Sequence, residues 1–182
     1  MDRPMSALHF KFMSFLYKFR DLFLPRKKIL EEVGIKQGFH VLDFGCGPGA
    51  YISAVADLVG KSGTIHALDI HPLAIPKVKK IAAKRNLQNV KTILSDLQTG
   101  LPGESVYVAL LYDTLHGLSD PDGVLQEIHR VLRPIGLLSV TDHHLGGNEI
   151  VSKVTNTGLF KLSKKGKKTF SFVKENSRVR DT

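Results

Sequence analysis

Short apolar runs alternate with amphipathic, helix-type stretches through most of the chain. Strand-type runs of four to eight residues, each bounded by turn residues, are the first signal. They cover His40–Phe44, Thr64–Ile70, Val90–Leu94, Val106–Tyr112 and Leu137–Thr141. Helical spacing fills the intervals at residues 51–60, 74–86 and 121–132. Strands that alternate with helices form a parallel sheet between two helix layers, so we predict a doubly wound α/β fold.

The C-terminal part departs from this alternation. A short helix is predicted at Glu149–Thr155, and two alternating segments follow at Leu159–Leu162 and Thr169–Val173. Between them lies the lysine-rich stretch Ser163–Lys168. We predict an antiparallel hairpin whose lysines protect a sheet edge, which brings the sheet to seven strands.

Aromatic and aliphatic residues recur at helical spacing over residues 5–24, before Pro25. A second short helix is predicted at Arg26–Val33, and Gly34 closes it. We predict that residues 1–37 form an N-terminal helical cap or lid and that residues 38–182 form one folding unit. A dimer face and an interfacial membrane helix are alternative roles for the aromatic face. The pattern does not fix an oligomeric state.

Composition excludes a membrane span and an internal disulfide. The 182 residues are 42% hydrophobic, and no apolar run approaches the roughly 20 residues that cross a bilayer. Lysines interrupt the N-terminal apolar stretch, so it lacks the layout of a signal peptide. Because Cys46 is the single cysteine, we expect a reducing compartment, the cytoplasm.

The net charge of +9 is concentrated at the two ends of the chain. Residues 38–150 carry a small excess of acidic residues, whereas residues 1–37 and 151–182 are both basic. Basic ends are typical of solvated surfaces, and they also suit contacts with phosphates. Nucleic acid therefore stays an alternative partner.

The clearest chemical signal is a glycine turn at the end of the first predicted strand. Asp43 precedes glycines at 45, 47 and 49, and a helix follows at once. A ligand at such a turn lies against a strand's carboxyl end and a helix's amino end. The dinucleotide fingerprint has a different glycine spacing, G-x-G-x-x-G. An acid before the turn also favours a positively charged ligand, and Asp69, at the end of the second strand, suits ribose hydroxyls.

The stretch 41–49 resembles the first motif of class I S-adenosylmethionine-dependent methyltransferases. Asp69 matches the family's second-strand acid, and Asp96 matches its adenine-binding position. Residues 111–136 are similar to the small-molecule branch, which includes quinone-biosynthesis and arsenite methyltransferases. The resemblance covers about residues 26–173 and implies a Rossmann-like fold. One departure is Pro134-Ile135-Gly136, where the family has Pro-Gly-Gly.

The resemblance implies a set of cofactor contacts along the carboxyl edge of the sheet. The glycines lie against the methionine part, acids hold the amino group and the ribose, and the remaining positions border the adenine or the reacting methyl. These residues are Asp43, Gly45, Gly47, Gly49, Asp69, Ile70, Asp96, Leu97, Tyr112 and Asp113.

Methyl transfer from a sulfonium needs alignment of the acceptor, and a base only where the acceptor must lose a proton. The candidates at strand ends are His116, His143 or His144, and Tyr112. Asp113, Asp142 and His143 can approach one another at the ends of neighbouring strands. The two carboxylates resemble the magnesium site of catechol-type O-methyltransferases, with His143 in place of Asn. Because magnesium prefers oxygen ligands to imidazole, we predict no metal.

A small-molecule methyltransferase is the leading interpretation. The Asn/Asp-Pro-Pro-Tyr motif of methyltransferases that act on amino or amide nitrogen is absent, since residues 112–115 occupy its place. The alternatives are an RNA methyltransferase that uses the basic ends, a non-catalytic cofactor-binding or partner module, and a dinucleotide oxidoreductase.

Overall fold

Seven strands form one sheet that helices cover on both faces. The structure is a computed structural model and describes residues 6, 8 and 26–175. The strands are β1 His40–Phe44, β2 Thr64–Asp69, β3 Val90–Leu94, β4 Val106–Tyr112, β5 Leu132–Thr141, β6 Phe160–Lys165 and β7 Phe170–Lys174. The helices are α1 Arg26–Glu31, α2 Ile52–Val59, α3 Ala74–Lys84, α4 Pro121–Val131 and α5 Gly147–Thr155, with a short 3-10 turn at Leu115–Gly117.

The strand order is β3-β2-β1-β4-β5-β7-β6. Strands β1 to β5 pair in parallel, and β7 is antiparallel to both β5 and β6. This confirms the predicted doubly wound, mostly parallel, seven-stranded sheet with a C-terminal antiparallel hairpin. The chain runs outward from β1 to β3 and then returns to β4, so the direction of winding reverses between β1 and β4. Ligands of open α/β sheets bind outside the strands' carboxyl ends at such a point.

Alternation along the strands divides the core into two apolar layers. In β1, Leu42 and Phe44 face the layer that contains α4 and α5. Val41 faces the other layer, with α1 and α2, and Asp43 shares that face by the two-residue period. The sequence thus places one carboxylate in a strand in which every residue after His40 is buried.

The junction of α4 and β5 differs from the prediction. Helix α4 ends at Val131, and β5 begins at Leu132 rather than at Leu137. The register explains the difference, because Val106 pairs with Leu132 while Val108 pairs with Leu137. The intervening residues bulge outward and expose Ile135. The residues between the predicted helix and the predicted strand therefore form a bulge within a longer strand.

The C-terminal hairpin turn is also shorter than predicted. Strand β6 extends to Lys165 and β7 starts at Phe170, so the turn occupies residues 166–169 rather than 163–168. Lys164 and Lys165 pair with β7 while their side chains stay exposed on an edge strand. Helix α5 begins at Gly147, two residues before the predicted start.

Residues 26–35 pack against the body of the sheet. Leu30 is fully buried, and Val33 and Ile35 join the same apolar layer as α2. The predicted helix at residues 5–24 lies outside the described residues, and the division of the chain at residue 37 stays a prediction. Within the described residues, no helix is long and apolar enough to cross a membrane.

Candidate active site

The glycine turn after β1 is fixed against the end of β2. The backbone N–H groups of Gly45 and Cys46 each donate to the carbonyl of Leu68 at 2.9 Å. A Cβ on Gly45 would overlap the side chain of Thr114, whereas a Cβ on Gly47 would meet open space. Both glycines have positive φ, which L-residues with side chains rarely adopt. The turn is therefore packed on one side and leaves the Gly47 backbone open to a ligand.

Asp69 joins the glycine turn to the end of β2. Its Oδ2 accepts from the N–H of Gly47 at 2.7 Å, and its Oδ1 accepts from the N–H of His71 at 2.7 Å. Burial raises the pKa of Asp69, and these two hydrogen bonds oppose the rise. Each carboxylate oxygen keeps a second lone pair that can accept from a ligand hydroxyl.

Asp43 is the least satisfied polar group of the site. It is 2% exposed, and its Oδ2 is buried without a hydrogen-bond partner among the described residues. Burial raises the pKa of Asp43 to about 7; the neighbouring Asp69 carboxyl adds to the rise, and the Arg26 guanidinium opposes it. Arg26 in turn stacks over the ring of Tyr51, 4.5 Å from its centroid. Such a buried carboxyl oxygen fits a cationic ligand that brings N–H donors.

The positions predicted for the adenine lie at the same edge. Ile70 directly follows β2 and is half-buried, as are Asp96 and Leu97 after β3. The N–H of Ser95 donates to the carbonyl of Asp69 at 3.1 Å, so the two loops are joined. The structure therefore brings the predicted cofactor residues that follow β1, β2 and β3 to one edge of the sheet.

Tyr112 faces the apolar layer that contains α1 and α2. Its hydroxyl shares a 2.9 Å hydrogen bond with the hydroxyl of Ser139, and its ring makes an edge contact with Tyr51. Burial raises the pKa of Tyr112 above its usual value. This geometry favours a packing role beside the site for Tyr112.

Two histidine–aspartate pairs lie where β4 and β5 end. His116 Nδ1 is 2.9 and 3.0 Å from the two carboxylate oxygens of Asp142, whose side chain is completely buried. Asp142 also accepts from the backbone N–H of His116 and of His144, both at 3.0 Å. Because a carboxylate only accepts, His116 Nδ1 donates, and in the neutral imidazole Nε2 is then the acceptor nitrogen.

The second pair also joins the two strand ends, but here the histidine follows β5 and the acid follows β4. His143 Nδ1 lies 2.8 Å from Asp113 Oδ1, which also accepts from the backbone N–H of His143 at 3.2 Å. The ring of His144 lies between the other two imidazoles, with centroids 4.1 Å from His116 and 3.8 Å from His143. Sequence reasoning brought Asp113, Asp142 and His143 to neighbouring strand ends, where the structure has them, but it selected His116 separately and missed its pairing with Asp142. Tyr112 pairs with Thr141 across the two strands, so each histidine meets the acid of the opposite strand.

Asp113, Asp142 and His143 form a candidate metal cluster among the described residues. One ligand atom from each lies within 4.8 Å of the other two. An ion there would compete with the hydrogen bonds that both carboxylates make to histidines. The absence of a metal therefore stays a prediction.

Sequence reasoning also missed Glu127 on α4. Its carboxylate is buried and accepts from the N–H and the hydroxyl of Thr99 at 2.9 and 2.5 Å. Arg130 donates to both of its oxygens at 2.7 and 2.8 Å. A Glu–Arg pair three residues apart on a helix is visible in the sequence, but the pattern does not give the third partner.

A family model described as a methyltransferase domain matches residues 35–177. An aklanonic acid methyltransferase of Streptomyces sp. strain C5 is 33% identical over 123 residues, which are 66% of this chain and 56% of that protein. A demethylmenaquinone methyltransferase of Lactobacillus johnsonii is 31% identical over 139 residues, 75% of this chain and 57% of that protein. The chain therefore spans a little over half the length of these curated relatives.

Among solved structures, a SAM-dependent methyltransferase from Aquifex aeolicus is similar with a TM-score of 0.73. The two sequences are 25% identical, and the match covers 82% of this chain and 88% of the other.

Proposed function

Because this chain belongs to the methyltransferase-domain family, we propose that it binds S-adenosylmethionine and transfers the methyl group to a small-molecule acceptor. The family match confirms the resemblance drawn from residues 41–49. The observation that carries the proposal is the pair of features in the glycine turn: the open backbone at Gly47 and the unpartnered, buried oxygen of Asp43.

The residues at this edge of the sheet suit the three parts of the cofactor. Asp43 would attract its ammonium and sulfonium charges, with the Gly47 backbone alongside the methionine part. Asp69 would accept from the ribose hydroxyls with its free lone pairs, and Ile70 would pack on the adenine. Asp96 and the Leu97 amide would meet the adenine edge. When bound, the cofactor supplies a methyl group on a positively charged sulfur that needs no further activation.

The acceptor belongs beside the histidines, at the ends of β4 and β5. We assign His116 as the general base, because Asp142 fixes its Nδ1 as the donor and leaves Nε2 to take a proton from the acceptor. His143, held by Asp113, would border the same space. A base of this kind suits an acceptor with a weakly acidic O–H or C–H, such as a phenol, a quinol or an enol.

Calorimetry with S-adenosylhomocysteine tests the cofactor, and methyl transfer to quinols and to polyketide acids such as aklanonic acid tests the acceptor. In the variant H116Q we expect kcat to fall about 100-fold while the affinity for S-adenosylhomocysteine stays unchanged, since a base contributes about 10²–10⁴ to the rate. H129Q is the matched control, because His129 packs on Phe160, away from the pairs.

The same measurements separate the rival functions. Binding of NAD without binding of S-adenosylhomocysteine would contradict the proposal and favour the oxidoreductase. Cofactor binding without turnover of any acceptor would favour the non-catalytic module. Loss of activity in a chelator, restored by Mg²⁺, would assign Asp113, Asp142 and His143 to a metal instead of a base.

A further inference from the structure

The segment that joins β3 to β4, residues 95–105, crosses from the sheet edge back to its centre without a helix or strand. It carries Asp96 and Leu97, and the inference below rests on their proposed contact with the adenine. At its start, the N–H of Ser95 is held by the carbonyl of Asp69 at 3.1 Å. A loop of this kind keeps its shape only where side chains or backbone groups elsewhere fix it.

Helix α4 fixes the other end of this segment through Glu127. One of its oxygens, Oε1, accepts hydrogen bonds from both the N–H and the hydroxyl of Thr99. Thr99 Oγ1 in turn accepts a hydrogen bond from the N–H of Leu101 at 3.1 Å. Arg130 holds Glu127 and also donates to the carbonyl of Leu101 at 2.8 Å. The carbonyl of Arg130 accepts from the N–H of Glu104 at 3.1 Å. Thr99 and Glu127 are both buried, at 4% and 6% exposure.

Residues 96–98 thus lie between two hydrogen-bonded anchors, Asp69 at one end and Glu127 at the other, and Leu97 packs on the apolar core between them. We infer that Glu127 is a positioning residue for adenine recognition: it sets the place of Asp96 through Thr99 without touching the cofactor. Loss of this anchor would loosen only the group that distinguishes adenine from other bases. Contacts to the ribose and the methionine part, which rest on β1 and β2, would be kept.

Calorimetry with two ligands tests this inference on the whole chain. S-adenosylhomocysteine carries the adenine amino group, and S-inosylhomocysteine has a carbonyl in its place. In the unmodified protein we expect the first ligand to bind at least tenfold more tightly, since a missing hydrogen bond to a charged group costs about that factor. In E127Q we expect the affinity for S-adenosylhomocysteine to fall about tenfold and that for S-inosylhomocysteine to stay the same.

The matched control is E104Q, the same chemical change on an exposed residue of the same segment. If E127Q does not fold, T99V serves as the second variant, because it removes the hydroxyl that donates a hydrogen bond to Glu127. An unchanged ratio of the two affinities in E127Q, or in T99V, would overturn the inference. A ratio near one in the unmodified protein would also overturn it while leaving cofactor binding intact. Binding of neither ligand would instead refute the proposed function itself.

Discussion

Asp43 is the residue at which local stability and ligand binding conflict most clearly. A buried carboxyl oxygen without a partner destabilises a fold, and the nearby Asp69 carboxyl adds repulsion. Such a group is retained where a ligand uses it. The sequence places an acid at this position, but only the structure gives its burial and its unsatisfied oxygen.

Replacement of Asp43 by Asn should stabilise the ligand-free protein at high pH. Because the pKa of Asp43 is raised to about 7, the folded protein holds a proton there between about pH 4 and 7 that the unfolded chain has released. Its contribution to the free energy of unfolding therefore falls as the pH rises through this window. We expect D43N to be more stable than the unmodified protein by on the order of 2 kcal/mol at pH 8, with little difference at pH 4.

Thermal unfolding at the two pH values measures this difference, and D122N, on an exposed residue of α4, is the control. The same D43N variant should bind S-adenosylhomocysteine at least tenfold more weakly, because it lacks the charge that attracts the ligand's ammonium. A stability gain that is equal at both pH values would contradict the titration of Asp43. Unchanged affinity would remove Asp43 from the site.

At the scale of elements, short apolar runs predict the five parallel strands, and they are clearest for β1, β2 and β4, which are almost wholly buried. The junction of α4 and β5 was missed because Leu132 pairs with Val106 across a bulge, and a bulge has no periodic signal. The approach of Asp113, Asp142 and His143 follows from strand order, because each comes directly after one of two neighbouring strands. The pairing of His116 with Asp142 was missed, because His116 lies beyond the strand end in a short 3-10 turn whose direction the sequence does not give.

The link between α1 and the β6–β7 turn is another contact that no local pattern predicts. Glu32, directly after α1, accepts from the backbone N–H groups of Lys168 and Thr169 at 3.2 Å and from the Thr169 hydroxyl at 2.9 Å. Burial raises the pKa of Glu32, but these hydrogen bonds outweigh it, and the pKa is lowered overall. The carboxylate thus holds two elements together that are more than 130 residues apart.

Replacement of Glu32 by Gln should loosen this turn. Because the folded-state pKa is lowered, the carboxylate's stabilisation is present above its ordinary pKa and is lost as the pH falls. We expect E32Q to lower the free energy of unfolding by about 1 kcal/mol at pH 7 and by less at pH 4. Hydrogen exchange should show faster exchange at the amides of Lys168 and Thr169.

E31Q is the matched control, since Glu31 is the exposed neighbouring residue at the end of α1. Equal protection of the two turn amides in E32Q and in the unmodified protein would show that the hydrogen bonds do not hold the turn.

For the whole molecule, charge separates the two classes of acceptor. The turn between β6 and β7 and the strand before it present exposed lysines, among them Lys165, Lys167 and Lys168. Strand β7 begins opposite Val140, close to the carboxyl end of β5 where the histidines lie. A bound RNA could therefore reach both features, whereas a small acceptor needs only the space beside the histidines.

Methyl transfer to a small acceptor should be nearly independent of salt. Between 50 and 200 mM KCl we expect kcat/KM to change less than twofold, both in the unmodified protein and in a variant with these three lysines replaced by Gln. An RNA acceptor held by three lysine–phosphate contacts would lose about 20-fold over the same range, because bound counterions are released. Replacement of Lys79, Lys80 and Lys84 on α3 gives a control with the same change in net charge. A steep salt dependence that disappears only in the hairpin variant would assign the basic turn to a polyanionic acceptor and contradict the small-molecule proposal.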